Sequence, residues 1–346
     1  MTSPRASRWR PDRTRAPRAW VWSMALVVSG SLACAALGGG GTAAGEAPMG
    51  SLYWSTVEVP PPGADDDVAA GRMLFLGRCT SCHGVDGRGD GPAARFMGAP
   101  PRDFADGLYK LRSRTGFPSD EDLYRTISAG IRRGGMPSME FLSPDERWQL
   151  VSEVLRLGRA GFVRDQLDEF AEELDLPALP PFEGQDAEAF LDGAVADEWP
   201  AEFLVTVGDE QLFELELDLA DELADLLDPG DAVDLGPPPE ATGAQLERGR
   251  ELYTRWGCVR CHGEQGRADG PLSPTLTNAR GGPIPALDLT SDPHEYKGGG
   301  SVGDVARILA TGMSGTPMPS YRLGPESDAD IWALAHWVVS LQDTER

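Results

Sequence analysis

The sequence predicts a mainly α-helical chain built from two small units of one plan. An acidic, partly structured insert joins them, and an N-terminal signal or anchor precedes them. Three observations lead there. The stretch Cys79-Thr80-Ser81-Cys82-His83 returns as Cys258-Val259-Arg260-Cys261-His262. Apolar residues at helical spacing flank both copies. The net charge of −24 comes from one internal segment: residues 162–240 hold 25 acids and the single base Arg164.

The repeated C-x-x-C-H spacing is the attachment signature of c-type haem. On a helix, residues three apart share a face, so two thiols can bond the two vinyl groups of one porphyrin. The adjacent imidazole then offers a nitrogen to iron. Cys79, Cys82, Cys258 and Cys261 are the predicted covalent attachment points for two haem c groups, with His83 and His262 as iron ligands. A zinc ribbon is the first rival, but it needs its C-x-x-C pairs about 15–20 residues apart, whereas Cys82 and Cys258 are 176 apart. A thioredoxin-like dithiol is the second, and it does not require His after both pairs.

The N-terminus carries six arginines against Asp12 in residues 1–18, then an apolar run from Ala19 to Leu37. This is the charge and hydropathy order of an export signal, and nineteen residues also suffice to span a bilayer. Three readings compete over 1–37: cleavage near Ala35 or Ala44, retention as an anchor, or lipidation of Cys34 within Ser31-Leu32-Ala33-Cys34. Against the last, Ser31 replaces the usual apolar residue. All three place the bulk of the chain in the periplasm, and the last two tether it to a membrane. Residues 38–64, with Gly38 to Gly41 and Pro60 to Pro62, read as a flexible tether.

The first unit spans 65–160. Asp65 to Asp67 cap a helix leading to Cys79. A glycine-rich loop, Gly84 to Pro92, must turn tightly after His83. Ser119 to Asp122 open a helix through Leu123, Ile127 and Ile131, which Gly134-Gly135-Met136-Pro137 ends. Ser143, Pro144 and Glu146 form a capping box before the helix of Trp148, Val151, Val154, Leu155 and Leu157. The second unit, 241–346, repeats the plan. Gly71-Arg72 matches Gly249-Arg250, His to Pro is nine residues in both loops, Met136 matches Met318, and Trp148 matches Trp332.

With these motifs in place, each half resembles a class I cytochrome c domain. The resemblance rests on C-x-x-C-H-G followed by Gly-Asp-Gly-Pro or Ala-Asp-Gly-Pro, on Met-Pro-Ser after a glycine-rich turn, and on a last helix opening near Trp. It implies a small all-α fold wrapped on haem and His/Met ligation, which raises the reduction potential. Met136 and Met318 are then the sixth ligands, with Met139 and Met313 as rivals. Gly130 to Met136 and Gly312 to Met318 are both six residues, which places Met313 opposite Ile131 and Met139 opposite Tyr321. The other histidines, His294 and His336, read as surface or packed side chains. Tyr109 to Arg114 and Tyr296-Lys297 offer cations for haem propionates. Lys110 and Lys297 are the chain's two lysines, so a lysine-ring docking face is absent.

In the acidic segment, 161–240, residues 203–207 and 213–219 alternate as two short strands would. Leu219, Leu223, Leu226 and Leu227 fit a helix equally. The segment reads as a solvated insert or as a docking surface for a redox partner with a basic face. Nothing points to nucleic acid. The chain reads as a periplasmic electron carrier of the respiratory type, more an electron-transfer protein than an enzyme. A dihaem cytochrome c peroxidase is one alternative, though the Phe-Trp-Asp-Gly-Arg stretch of that family is missing. The other is a haem subunit of a larger dehydrogenase or oxidase complex.

Overall fold

The computed structural model describes residues 54–62, 68–173, 215, 217–322 and 327–342, all within one compact unit, 47–346. The predicted signal or anchor at 1–37 and the cap at Asp65 to Asp67 lie outside the described residues. Among the described residues no helix is long and apolar enough to cross a membrane.

The first unit consists of α1 (Val68–Arg78), α2 (Thr80–His83), α3 (Asp120–Ala129) and α4 (Pro144–Glu173). A helix over 217–226, α5, follows. The second unit consists of α6 (Gly243–Arg255), α7 (Val259–His262), α8 (Val302–Thr311) and α9 (Asp328–Ser340). Helix α1 packs on α4, and α6 packs on α9 in the same way. The crossing points explain the matched glycines. A Cβ on Gly71 would run into the carbonyl of Gln149, and one on Gly249 into that of Ala333. Two separate apolar cores result. Phe75, Tyr124, Leu150 and Val151 centre the first, and Leu252, Tyr253, Ile331 and Leu334 the second.

The caps repeat as well. Ser119 and Asp122 form a capping box on α3, and Ser301 caps α8 by accepting from the Asp304 N–H. Ser143 and Glu146 form the predicted box on α4, through the Ser143 N–H to Glu146 Oε2 at 2.8 Å and the Glu146 N–H to Ser143 Oγ at 3.2 Å. Each box satisfies orphan amide donors at a helix start. Helix α4 runs on past residue 160 to Glu173, held there by Val163, Leu167 and Ala171, all buried.

Two expectations change. Part of the stretch read as a tether is fixed: Trp54 and Val57 are buried, Trp54 Nε1 donates to Thr126 Oγ1 at 3.0 Å, and Pro60 O accepts from Trp148 Nε1 at 3.1 Å. In the acidic segment, residues 203–214 lie outside the described residues, but 217–226 is helix and not strand. Leu219 and Leu223, four apart on one face, are buried, so the helical period wins over the alternation. After α5, residues 228–233 run beside 113–117: Thr115 and Phe117 donate to Asp231 O and Asp228 O at 3.0 and 2.8 Å, and Val233 donates to Ser113 O at 2.9 Å. Leu235 then packs on the second core.

Arginines and one tryptophan join the units. Arg280 pairs with Asp103 at 2.6 Å and Asp106 at 2.9 Å. Arg112 donates to Thr311 O at 2.6 Å and to Ser314 Oγ. Arg307 donates to Arg112 O at 3.3 Å and Gly298 O at 2.9 Å, and stands 3.9 Å over the Trp54 ring.

Candidate haem sites

Each C-x-x-C-H segment is a single helical turn, α2 and α7, hydrogen-bonded back to its first cysteine: the His83 N–H donates to Cys79 O and the His262 N–H to Cys258 O, both at 2.9 Å. The turn ends at Gly84 and Gly263, with φ of 76° and 80°. A Cβ at either would collide with the carboxylate of Asp90 or Asp269. That aspartate is the Asp of the Gly-Asp-Gly-Pro and Ala-Asp-Gly-Pro loops, so the loop folds back on the turn that carries the histidine.

Each histidine is oriented by a backbone carbonyl. His83 Nδ1 lies 3.2 Å from Arg102 O, and His262 Nδ1 lies 2.9 Å from Leu287 O. A carbonyl can only accept, so Nδ1 carries the proton and Nε2 keeps its lone pair, as a metal-binding imidazole requires. Burial lowers the pKa of both rings, which holds them neutral. Burial also pushes the Cys79 and Cys258 thiols up to about 11. A neutral, apolar sulfur site suits a thioether bond. Among the described residues no group of three or more His, Cys, Asp or Glu side chains gathers to hold a metal ion.

The methionine loops share one construction. Gly130 and Gly312 end α3 and α8 with φ of 70° and 68°. Ile131 and Met136 bridge each other, through Ile131 N–H to Met136 O at 2.9 Å and Met136 N–H to Ile131 O at 3.1 Å; the Met313 N–H donates to Met318 O at 3.0 Å. Ser138 Oγ donates to Ser128 O at 2.6 Å and Ser320 Oγ to Ala310 O at 2.5 Å, pinning the segment after each methionine. Met313 thus holds the place of Ile131, and Met318 that of Met136. Met139 is a core residue, buried in the first cluster. Its N–H bonds Ile127 O at 3.2 Å, as the Tyr321 N–H bonds Leu309 O at 2.8 Å. His336 Nε2 meets Pro239 O at 3.0 Å, and His294 sits in the turn Pro293–Glu295.

Cys258, Cys261, His262 and Met318 line one cavity of about 690 Å³, with Leu276, Leu309 and Val338 on its walls. In the first unit, Cys79 and Met136 pack against the same core. The cavity's far wall comes from the first unit: Pro101, Arg102, Leu108 and Lys110. Lys110 and Lys297 meet there. Burial, with Lys297 and then Arg102 beside it, pushes Lys110 down to about 7. Burial and Arg133 lower Lys297. Neither lysine makes an ion pair among the described residues. An apolar, plate-sized space bordered by half-buried, unneutralised cations fits a haem, whose apolar ring carries two carboxylates. Of the residues read as propionate partners, Lys110 and Lys297 line this cavity. Arg112 and Arg114 are spent elsewhere, the latter on Gly230 O at 2.7 Å. Sequence reasoning missed Arg102. It also missed the carbonyls of Arg102 and Leu287, because a backbone acceptor leaves no mark in residue type.

The comparisons agree with this geometry. No curated protein matches the chain. A solved structure from Kuenenia stuttgartiensis, described as the reducing HAO-like protein complex Kustc0457/Kustc0458, has a chain 28% identical over 83% of this chain and 100% of its own, with a TM-score of 0.56. The cytochrome c profile matches residues 68–155 and 246–342, together more than half of the chain, and each match encloses one C-x-x-C-H turn and one Met-Pro-Ser loop: the chain belongs to the cytochrome c family.

Proposed function

We propose that the chain is an exported electron carrier with two covalently bound haems, each ligated by His and Met. Haem supplies a reversible one-electron couple at iron. The chain's part is to hold each imidazole as the Nδ1–H tautomer, to keep water from the apolar pocket, and to set charge around it. Met136 and Met318 would join the histidines in holding iron, and the cysteine pairs 79/82 and 258/261 would carry the rings.

The observation that carries this reading is the duplication. A carbonyl on Nδ1, a glycine-ended helix and a pinned Met-Pro-Ser segment occur once per unit, so each unit has both a histidine and a methionine to offer iron. A peroxidase needs one displaceable position with an acid or base beside it. The test is the ferric spectrum of the purified holoprotein. Two low-spin haems with the methionine-to-iron charge-transfer band are expected; a high-spin component would return the peroxidase class.

The respiratory setting rests on the N-terminal arginine-rich and apolar run, which supports export to the periplasm and a membrane tether. A second reading makes the chain a haem subunit of a larger complex. It is favoured by the likeness to a chain of a complex with an HAO-like protein. Co-purification at fixed stoichiometry after mild extraction supports it, and an isolated monomer counts against it.

A further inference from the structure

The two units are not copies at their surfaces. Five of the six large apolar side chains exposed among the described residues lie on the first unit: Met73, Leu76, Val85, Phe96 and Phe141. The second unit provides an internal control. By the offsets of the repeat, Met73, Leu76, Val85 and Phe96 correspond to Glu251, Thr254, Glu264 and Thr275, and all four of those are exposed. The backbone places these positions on the outside in both units, and only the first fills them with apolar groups. They do not face the porphyrin space either. Leu276 lines the second cavity and is the counterpart of Met97, so Phe96, like Thr275, points the other way.

The backbone ties these positions to the attachment turn. Helix α1 carries Met73 and Leu76 and ends at Arg78, next to Cys79. Thr80 Oγ1 donates to Leu76 O at 2.9 Å. Ala93 N–H donates to Ser81 O at 2.8 Å, which sets the short turn Ala94–Phe96 beside α2. Arg78 stands 5.5 Å over the Phe141 ring and Arg95 4.7 Å over the Phe96 ring. Both arginines are exposed, and neither makes an ion pair among the described residues. The nearby acid Glu146 is engaged with the Ser143 amide.

Resting on the electron-carrier reading, we infer that this patch is the docking face through which electrons enter or leave the first haem site. Its partner is a redox protein with an apolar contact centre ringed by carboxylates. An exposed apolar group of this kind marks an interaction site. Aromatic and arginine side chains are the types that dominate such contacts. The unpaired guanidiniums select an acidic rim by charge complementarity, which acts on encounter rate and orientation. One electron crosses between partner and iron, and no bond forms or breaks. The second unit has Glu251, paired with Arg248 at 3.6 Å, Thr254, Glu264 and Thr275 at these places; it lacks the apolar centre and does not take this partner.

The test uses the full-length holoprotein and reduced flavodoxin as an acidic probe. Binding is measured by surface plasmon resonance, and reduction by stopped-flow absorbance, at low and high salt. The wild type is expected to bind at low salt and weaken as salt rises. The combined variant Met73→Glu, Leu76→Thr, Val85→Glu, Phe96→Thr carries only residues the second unit already tolerates at those places. It should lose at least tenfold in affinity while its ferric spectrum stays unchanged. Arg78→Ala with Arg95→Ala should flatten the salt dependence. Undiminished flavodoxin binding by the combined variant, or tighter binding of basic horse-heart cytochrome c to the same patch, overturns the proposal. So does concentration-dependent dimerisation of the wild type that the combined variant abolishes, since the occupant is then a second copy. Loss of methionine ligation in the wild-type spectrum would instead sink the electron-carrier reading, and the two failures are read separately.

Discussion

Met318 and Met313 both line the second cavity, so proximity alone does not choose the ligand. The proposed ligand is Met318, by position: the Met313 N–H donates to Met318 O as the Ile131 N–H donates to Met136 O, so Met313 holds the place of an isoleucine, which has no lone pair to give. Met136→Ala is therefore expected to remove the thioether from one iron only. The ferric spectrum should keep half of its methionine charge-transfer intensity, and the first haem's reduction potential should fall while the second's stays. Loss of the band from both haems would show that the units are not independent at the ligand level. Met313→Leu is the control and should leave both bands intact. Cysteine, histidine and methionine were legible in the sequence because each bears its chemistry in the side chain and repeats at fixed spacing. Arg102 was not: its carbonyl holds His83 while its side chain lines the neighbouring unit's cavity, and no spacing rule joins those two roles.

The elements that present these residues depend on glycines whose reasons lie in close approach. Gly312 ends α8 at φ 68° and ψ −168°, a region open essentially to glycine alone. A Cβ there would sit 2.7 Å from Ser320 N and 2.8 Å from Pro319 C, inside the segment that follows Met318. Gly312→Ala is expected to cost about 1–3 kcal/mol from backbone strain, with the steric contact added to it. It should also displace the Met318 loop, so the second haem loses methionine ligation before the protein unfolds. Denaturant titration followed at the charge-transfer band and by far-UV circular dichroism would show two separated transitions in the variant and coincident ones in the wild type. The matched glycines at 71 and 249 were visible as a repeat, and their cause, a helix crossing on Gln149 and Ala333, was not. The region before α5 misled for a related reason. Glu214, Leu215, Glu216 and Leu217 alternate as a strand does, while Leu219 and Leu223 keep a helical period, and burial of those two leucines decided the outcome.

At the scale of the molecule, the junction gathers positive charge between the units and leaves part of it unpaired. Arg280 is neutralised by Asp103 and Asp106, and Arg133 faces Glu295 at 3.9 Å. Among the described residues Lys110 and Lys297 make no ion pair, and the charges that act on them most are each other, Arg102 and Arg133. In the haem-free chain this has a definite sign. The folded Lys110 pKa of about 7 lies below its unfolded value, so between those two values the unfolded chain binds more protons. Stability then rises with pH across that window, and the cost is fully present below pH 7. The rise is steepest between pH 7 and 8, since toward pH 9 the Cys79 and Cys258 thiols, held up to about 11 in the fold, ionise in the unfolded chain and pull the other way. Haem-free protein, made without the attachment machinery, should become more stable from pH 7 to 8, and Lys110→Met should raise its stability at pH 7 and flatten the slope. With haem attached, carboxylates beside the two ammoniums would keep both charged, and the slope should vanish in the wild type as well. Chemical denaturation of both forms at pH 7, 8 and 9 measures this. A slope of equal size with and without haem would mean that the propionates do not reach the lysine pair, and that the cations of the junction serve the contact between the units alone.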